Sequence, residues 1–155
     1  MEVVTDRRAR ILDAGCGTGL AGQYLSVHGY SDLHGVDYSE PMLAVARQRN
    51  VYTSLRTHDL TQPLSTEMPF DAVLCVGVFA FFPPFVSDLR HLLAAVKSAR
   101  PVVVTVNGKG WVEKNWPQLL AAEERAGAFV IERVVEIPYL QTPGIDGRIL
   151  VLRDA

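Results

Sequence analysis

The stretch "ILDAGCGTGL", residues 11–20, sets a carboxylate, Asp13, two residues ahead of three glycines, Gly15, Gly17 and Gly19, at alternate positions. Such a turn lets backbone amides approach a ligand closely, and a helix opening behind it adds partial positive charge. Those features alone suit a phosphate. The carboxylate argues the other way, because at the mouth of the turn it repels a pyrophosphate and attracts a cation. The spacing G-x-G-x-G also departs from the dinucleotide pattern G-x-G-x-x-G, which would need glycine where Leu20 stands. A competing use of Asp13 is as a partner for the N-terminus of the following helix, where carboxylates are favoured.

Eighteen residues after Gly19, "GVDYS" places Asp37 at the end of a second strand, where an acid can accept both hydroxyls of a ribose. NAD enzymes share that arrangement. As a mere cap for the next helix Asp37 is redundant, since Ser39 fills that role. S-adenosylmethionine carries a sulfonium and an α-ammonium and no phosphate, so an acidic glycine turn suits it better than NAD.

These residues need a scaffold that brings strand ends together. Strands are predicted over 10–14, 32–38, 53–58, 71–76 and 101–107, and helices over 18–27, 40–49 and 117–126. Phe85, Leu89, Leu92, Leu93 and Val96 add an amphipathic stripe that belongs in the core. Beyond Ala128, "FVIERVVEIPYL" and "GRILVLRD" flank the turn-rich "QTPGID" with no helix between them, which makes an antiparallel hairpin. The expected fold is α/β: a Rossmann-like, doubly wound, mostly parallel seven-stranded sheet with a C-terminal antiparallel hairpin. At 155 residues it forms a single domain over 1–155.

Composition narrows the function classes. A net charge of -2 and no long Lys/Arg block argue against nucleic acid as partner. The longest apolar stretch, "DAVLCVGVFAFFPPFV", is broken by two prolines, so no membrane span is expected. Two cysteines and no recognisable leader favour a cytoplasmic setting. No metal-ligand spacing occurs, and no Ser/His/Asp set or pair of acids is placed for hydrolysis on the cleft side.

Together, "ILDAGCGTG", "GVDYSEPMLAVAR", "HDL" and "FDAVLCVGV" resemble a class I S-adenosylmethionine-dependent methyltransferase, over roughly residues 10–107. The stretch from "LHGVDYS" to "THDL" is similar in particular to the small Williams–Beuren-type methyltransferase-like subgroup. The resemblance implies that Asp13 and the backbone of Gly15, Cys16 and Gly17 surround the methionyl end, while Asp37 takes the ribose and Tyr38 flanks the adenine. It further implies that Asp59 accepts from the adenine amino group, that Leu60 supplies a neighbouring amide, and that Val76 and Gly77 pass beside the sulfonium. S-adenosylhomocysteine is then the product.

Methyl transfer from a sulfonium depends mainly on orientation and has no obligatory base. His28, His34, His58 and His91 are the candidates if one is needed, with His58 nearest the site, and no catalytic residue is named among them. "FAFFPPF", residues 79–85, resembles the Asn/Asp-Pro-Pro-aromatic motif of amino-nitrogen methyltransferases, but it opens on Phe82 and lies too far from Asp71. It reads instead as an apolar wall for a small-molecule acceptor, with Phe79 facing the pocket and Trp111 of "NGKGWVEKNW" forming a second wall. The alternative for each is packing against a neighbouring helix.

Members of the family usually carry helices before the first strand that cover the cofactor, whereas nine residues precede Arg10 here. The N-terminal lid is therefore expected to be absent from this chain, with a partner or a second copy as one way to cover the site. Two other functions stay open at this point: a non-catalytic S-adenosylmethionine-binding domain and an NAD-dependent oxidoreductase.

Overall fold

Strands β1 (Ile11–Ala14), β2 (Leu33–Asp37), β3 (Ser54–Thr57), β4 (Ala72–Phe79), β5 (Val102–Asn107), β6 (Val130–Pro138) and β7 (Asp146–Arg153) form one sheet. Their spatial order is β3-β2-β1-β4-β5-β7-β6. The computed structural model describes residues 3–64, 67–79, 85–138 and 146–155. The first five strands pair in parallel, and β7 runs antiparallel to both β5 and β6, so the expected hairpin inserts its second strand beside β5. The α/β sheet is the one expected from the sequence.

Burial explains the strand sequences. β1 is buried along its whole length and β5 along most of it, as parallel strands covered on both faces must be. The edge strands β3 and β6 are largely exposed and mix polar with apolar residues. Helices α1 (Leu20–Val27) and α2 (Glu40–Arg47) follow β1 and β2. The larger apolar core joins Leu12, Val73, Val104 and Leu150 of the sheet to Leu89, Leu92 and Leu120 of later helices.

Chain direction at β1 decides where a ligand sits. From β1 the chain moves outward to β2 and β3 on one side, then crosses back to β4 and β5 on the other. The carboxyl ends of β1 and β4 therefore flank the point where strand order reverses, the usual ligand crevice of open α/β sheets. The glycine turn emerges there.

Two local structures go beyond the sequence reading, and one expectation is corrected. The stripe 85–96 forms a 3-10 turn over 86–88 and a short α3 (Leu89–Leu93), not one long helix. It stops because Val96 bridges Phe70, with the Phe70 amide donating to the Ala95 carbonyl and the Lys97 amide to the Phe70 carbonyl. Second, "NGKGWVE" is partly helical: α4 (Gly108–Glu113) opens on Asn107, whose side chain accepts from the Gly110 amide at 2.7 Å, and α5 (Trp116–Arg125) follows. Third, Phe79 does not face a cleft. It is 1% exposed in the core, edge-on to Trp116 with ring centroids 5.7 Å apart. Its apolar ring is better removed from water than left at a pocket rim.

Candidate functional site

The turn after β1 holds its shape through its glycines and through β2. Gly15, Gly17 and Gly19 all take positive φ, and the amides of Gly15 and Cys16 both donate to the Val36 carbonyl, at 2.8 and 2.9 Å. At Gly15 the absence of a side chain is obligatory, since a Cβ would stand 2.3 Å from Val78 Cγ2. Val78 reaches the turn because β4 bulges. Between Cys75 paired with Val104 and Phe79 paired with Val106, β4 advances four residues while β5 advances two. The buried Thr105 secures the bulge, its hydroxyl accepting from the Gly77 amide at 2.9 Å.

Two hollows open at the carboxyl ends of β1, β2 and β4. The larger, about 450 Å³, is lined by Asp13, Gly15, Cys16, Gly17, Asp37, Val76 and Gly77, among others. The smaller, about 340 Å³, is lined by Tyr38, Asp59 and Leu60 together with Gly15 and Asp37. Gly15, Asp37 and Val78 border both. Each of the ten residues named from the sequence for the cofactor thus lines one hollow or both. Phe79 and Trp111 line neither. Trp111 is half-buried, stacked on Trp116 at 6.3 Å with Arg148 over its ring, which answers to the packing alternative. Phe81 and Phe82 lie outside the described residues.

The electrostatics are one-sided. Asp13 is 2% exposed, and its carboxylate accepts the Tyr52 hydroxyl at 2.6 Å and the Gly22 amide. Burial outweighs both hydrogen bonds and pushes its pKa up to about 6, with the Asp37 charge adding to the rise. The Gly22 contact makes Asp13 a partner of the first turn of α1 while it also lines the larger hollow. Asp37 takes the Gly17 amide on Oδ2 and the Ser39 amide on Oδ1, both at 2.8 Å. Asp59 is exposed, and the Thr61 amide and hydroxyl hold its carboxyl below the usual range. Burial raises the Cys16 thiol to about 12, so it stays protonated at neutral pH. No lysine or arginine is among the residues lining either hollow.

Several lining residues escaped the sequence reading. Thr18 comes from the glycine turn, Leu20 and Ala21 from the start of α1, Ser39 and Met42 from the N-cap and first turn of α2, and Val78 from the bulge. The bulge leaves no local signal in sequence. The residues on α1 and α2 follow from the two helices opening toward the same hollow, which periodicity had placed correctly but not oriented. His58 borders the smaller hollow, with Nε2 3.3 Å from the Gln62 carbonyl. His34 lies elsewhere, between Asp32 and Ser54, each 2.7 Å from a ring nitrogen. That Asp32–His34–Ser54 chain is on the sheet, away from the glycine turn. Among the described residues no His/Cys/Asp/Glu cluster could hold a metal, and no helix is long and apolar enough to cross a membrane.

Comparison with known proteins agrees with this geometry. Residues 11–99 match the family described as a methyltransferase domain. The chain is 47% identical over 74 residues to methyltransferase-like protein 27 of Homo sapiens, covering 46% of this chain and 30% of that protein. It is 30% identical over 93 residues to a ubiquinone biosynthesis O-methyltransferase of Bordetella bronchiseptica, covering 57% of this chain and 38% of that one. The chain thus spans about a third of the length of these two relatives. Among solved structures, a TehB-like SAM-dependent methyltransferase from Corynebacterium glutamicum superposes with a TM-score of 0.76 at 27% identity, covering 97% of this chain and 83% of that one.

Proposed function

The chain belongs to the methyltransferase domain family, with the class I fold of S-adenosylmethionine-dependent enzymes, and on that premise we propose that it methylates a small-molecule acceptor. One observation carries the cofactor reading. Asp13 and Asp37 face the same hollow, and neither is paired with a cationic side chain among the described residues. A buried carboxylate without a counter-charge is costly. A cationic ligand relieves that cost, whereas a pyrophosphate adds to it.

The residues divide the ligand as follows. Asp13 faces the positively charged methionyl end in the larger hollow, and the backbone of the glycine turn surrounds it. Asp37 sits where the two hollows meet and takes the ribose hydroxyls on the lone pairs that its bonds to the Gly17 and Ser39 amides leave open. Tyr38 and Leu60 border the adenine, and Asp59, kept anionic by Thr61, accepts from its amino group. When bound, S-adenosylmethionine supplies a methyl group on a sulfonium leaving group, open to in-line displacement. Val76 and Gly77, held by the Thr105 hydroxyl, form the wall beside that group and fix the direction of approach.

A small acceptor is favoured by the net charge of -2 and by the absence of a basic surface block. The Bordetella bronchiseptica relative is named as an enzyme of ubiquinone biosynthesis, which points the same way. The test is transfer of labelled methyl from S-adenosylmethionine into a fractionated cell extract. Label in the low-molecular-weight fraction is expected; label confined to protein or nucleic acid contradicts the small-acceptor reading, and no transfer into any fraction supports a binding domain without catalysis.

A further inference from the structure

Gly19, Gly22 and Gly35 come from three different elements, yet all meet one ring. That ring belongs to Tyr52, in the connection between α2 and β3. A Cβ on Gly22 would stand 2.2 Å from Tyr52 Cζ, one on Gly19 would stand 3.0 Å from Cε2, and one on Gly35 would stand 3.2 Å from Cε1. Gly22 thus leaves out a side chain where the tyrosine passes, while Gly19 and Gly35 border the ring together with Arg49 and Ala46 at the first and Leu55 and Cys16 at the second. Its hydroxyl ends on Asp13 Oδ2 at 2.6 Å, 39 residues away in sequence.

We propose that Tyr52 is a positioning residue of the cofactor site: threaded through this glycine slot, its hydroxyl fixes the Asp13 carboxylate against the larger hollow so that it receives a cationic ligand. The inference rests on reading Asp13 as the partner of the methionyl end. Geometry gives Asp13 few other supports. From α1 it receives the Gly22 amide; from the end of β2 the Asp37 carboxylate faces it and opposes its ionisation. The Cys16 thiol of the turn and the Cys75 thiol of β4 are both held protonated by burial. The Arg49 side chain passes Gly19, but its guanidinium is engaged by the Thr18 carbonyl and Gln23 Oε1. Among the side chains facing Asp13, Tyr52 is therefore the one whose hydrogen bond favours the charged carboxylate.

Tyr52→Phe keeps the ring in its slot and removes only the hydroxyl. Carboxyl NMR of the ligand-free chain should show the Asp13 titration midpoint moving upward by about one pH unit, a tenfold change in proton affinity. An unmoved midpoint overturns the proposal. S-adenosylmethionine affinity, followed from about pH 5 to about pH 8.5, should fall at a higher pH in Tyr52→Phe than in the wild type and converge with it at the alkaline end, where both carboxylates are ionised. An equal loss at every pH marks a merely structural role and also overturns it. Should the variant fail to fold, the wild-type Tyr52 Cζ resonance must titrate together with Asp13; independent behaviour again overturns it. A wild-type chain that binds no S-adenosylmethionine at any pH sinks the parent reading, whereas a binding wild type with an indistinguishable variant sinks only the role of Tyr52.

Discussion

The Gly17 amide donates to Asp37 Oδ2 at 2.8 Å, tying the glycine turn to the end of the neighbouring strand. The same carboxylate takes the Ser39 amide on its other oxygen, so it organises both the turn and the start of α2. Asp37→Ala removes this anchor together with the group assigned to the ribose. Hydrogen bonds to a charged group contribute about 1.5–3 kcal/mol each, so S-adenosylmethionine affinity should weaken by at least about tenfold. Calorimetric titration checks this, and an unchanged Kd contradicts the assignment.

Gly15 is the point where the turn and the β4 bulge touch. Gly15→Ala forces a side chain into a φ of +74° and against Val78. Backbone strain and overpacking each cost about 1–3 kcal/mol, so the substitution should lower the unfolding free energy by several kcal/mol. Val78→Ala in the same chain should recover the overpacking part only. A double-mutant cycle by urea denaturation measures the coupling, and its absence would mean that the two residues do not meet.

The buried carboxylate of Asp13 predicts an unusual pH dependence. Its pKa rises on folding from an ordinary 3.8 to about 6, so the folded chain binds more protons than the unfolded chain between those values. Its contribution to stability is therefore full below about pH 4 and is lost as pH rises through about 6, by roughly 3 kcal/mol. Asp13→Asn should not show this loss. Asp59, Asp71 and Asp154, whose pKa values are lowered, change stability in the opposite sense as pH falls. The difference between the wild-type and Asp13→Asn denaturation profiles isolates Asp13, and parallel profiles would contradict its burial as a charge.

Thr105 carries a smaller load at a chosen place. Thr105→Val deletes the hydroxyl that accepts from the Gly77 amide while keeping the shape of the side chain. Stability should fall by about 1 kcal/mol, and Thr105→Ser should restore most of it. S-adenosylmethionine affinity should drop alongside, because the bulge forms one wall of the larger hollow. A valine variant with wild-type affinity would separate the bulge from binding.

These residues also show what the sequence could and could not reveal. The glycine turn, Asp37 and Asp59 were legible because their signals are local: glycine spacing, an acid at a predicted strand end, and a fixed order along the chain. Asp13 was legible as an acid at the turn, but its two uses coexist: it supports the first turn of α1 and borders the hollow. Phe79 misled because an aromatic cluster after a strand does not reveal which ring turns inward, and the β4 bulge decided that. The helix α4 was missed because its glycines lower helix propensity. Gly108 is nonetheless required, as a Cβ there would stand 2.0 Å from Asp146 Oδ1 at the start of β7. Tyr52 was invisible for the same reason as the bulge: its partners are distant in sequence and meet only in the fold.

On the proposed function, this cleft takes a cationic adenosyl ligand and rejects a pyrophosphate. Calorimetric titration of the wild-type chain with S-adenosylmethionine and, separately, with NADH tests it most directly. Saturable S-adenosylmethionine binding is predicted, weakened by Asp13→Asn, with no heat from NADH. Binding of NADH with no response to S-adenosylmethionine would overturn the assignment of Asp13 and Asp37 to a cationic ligand.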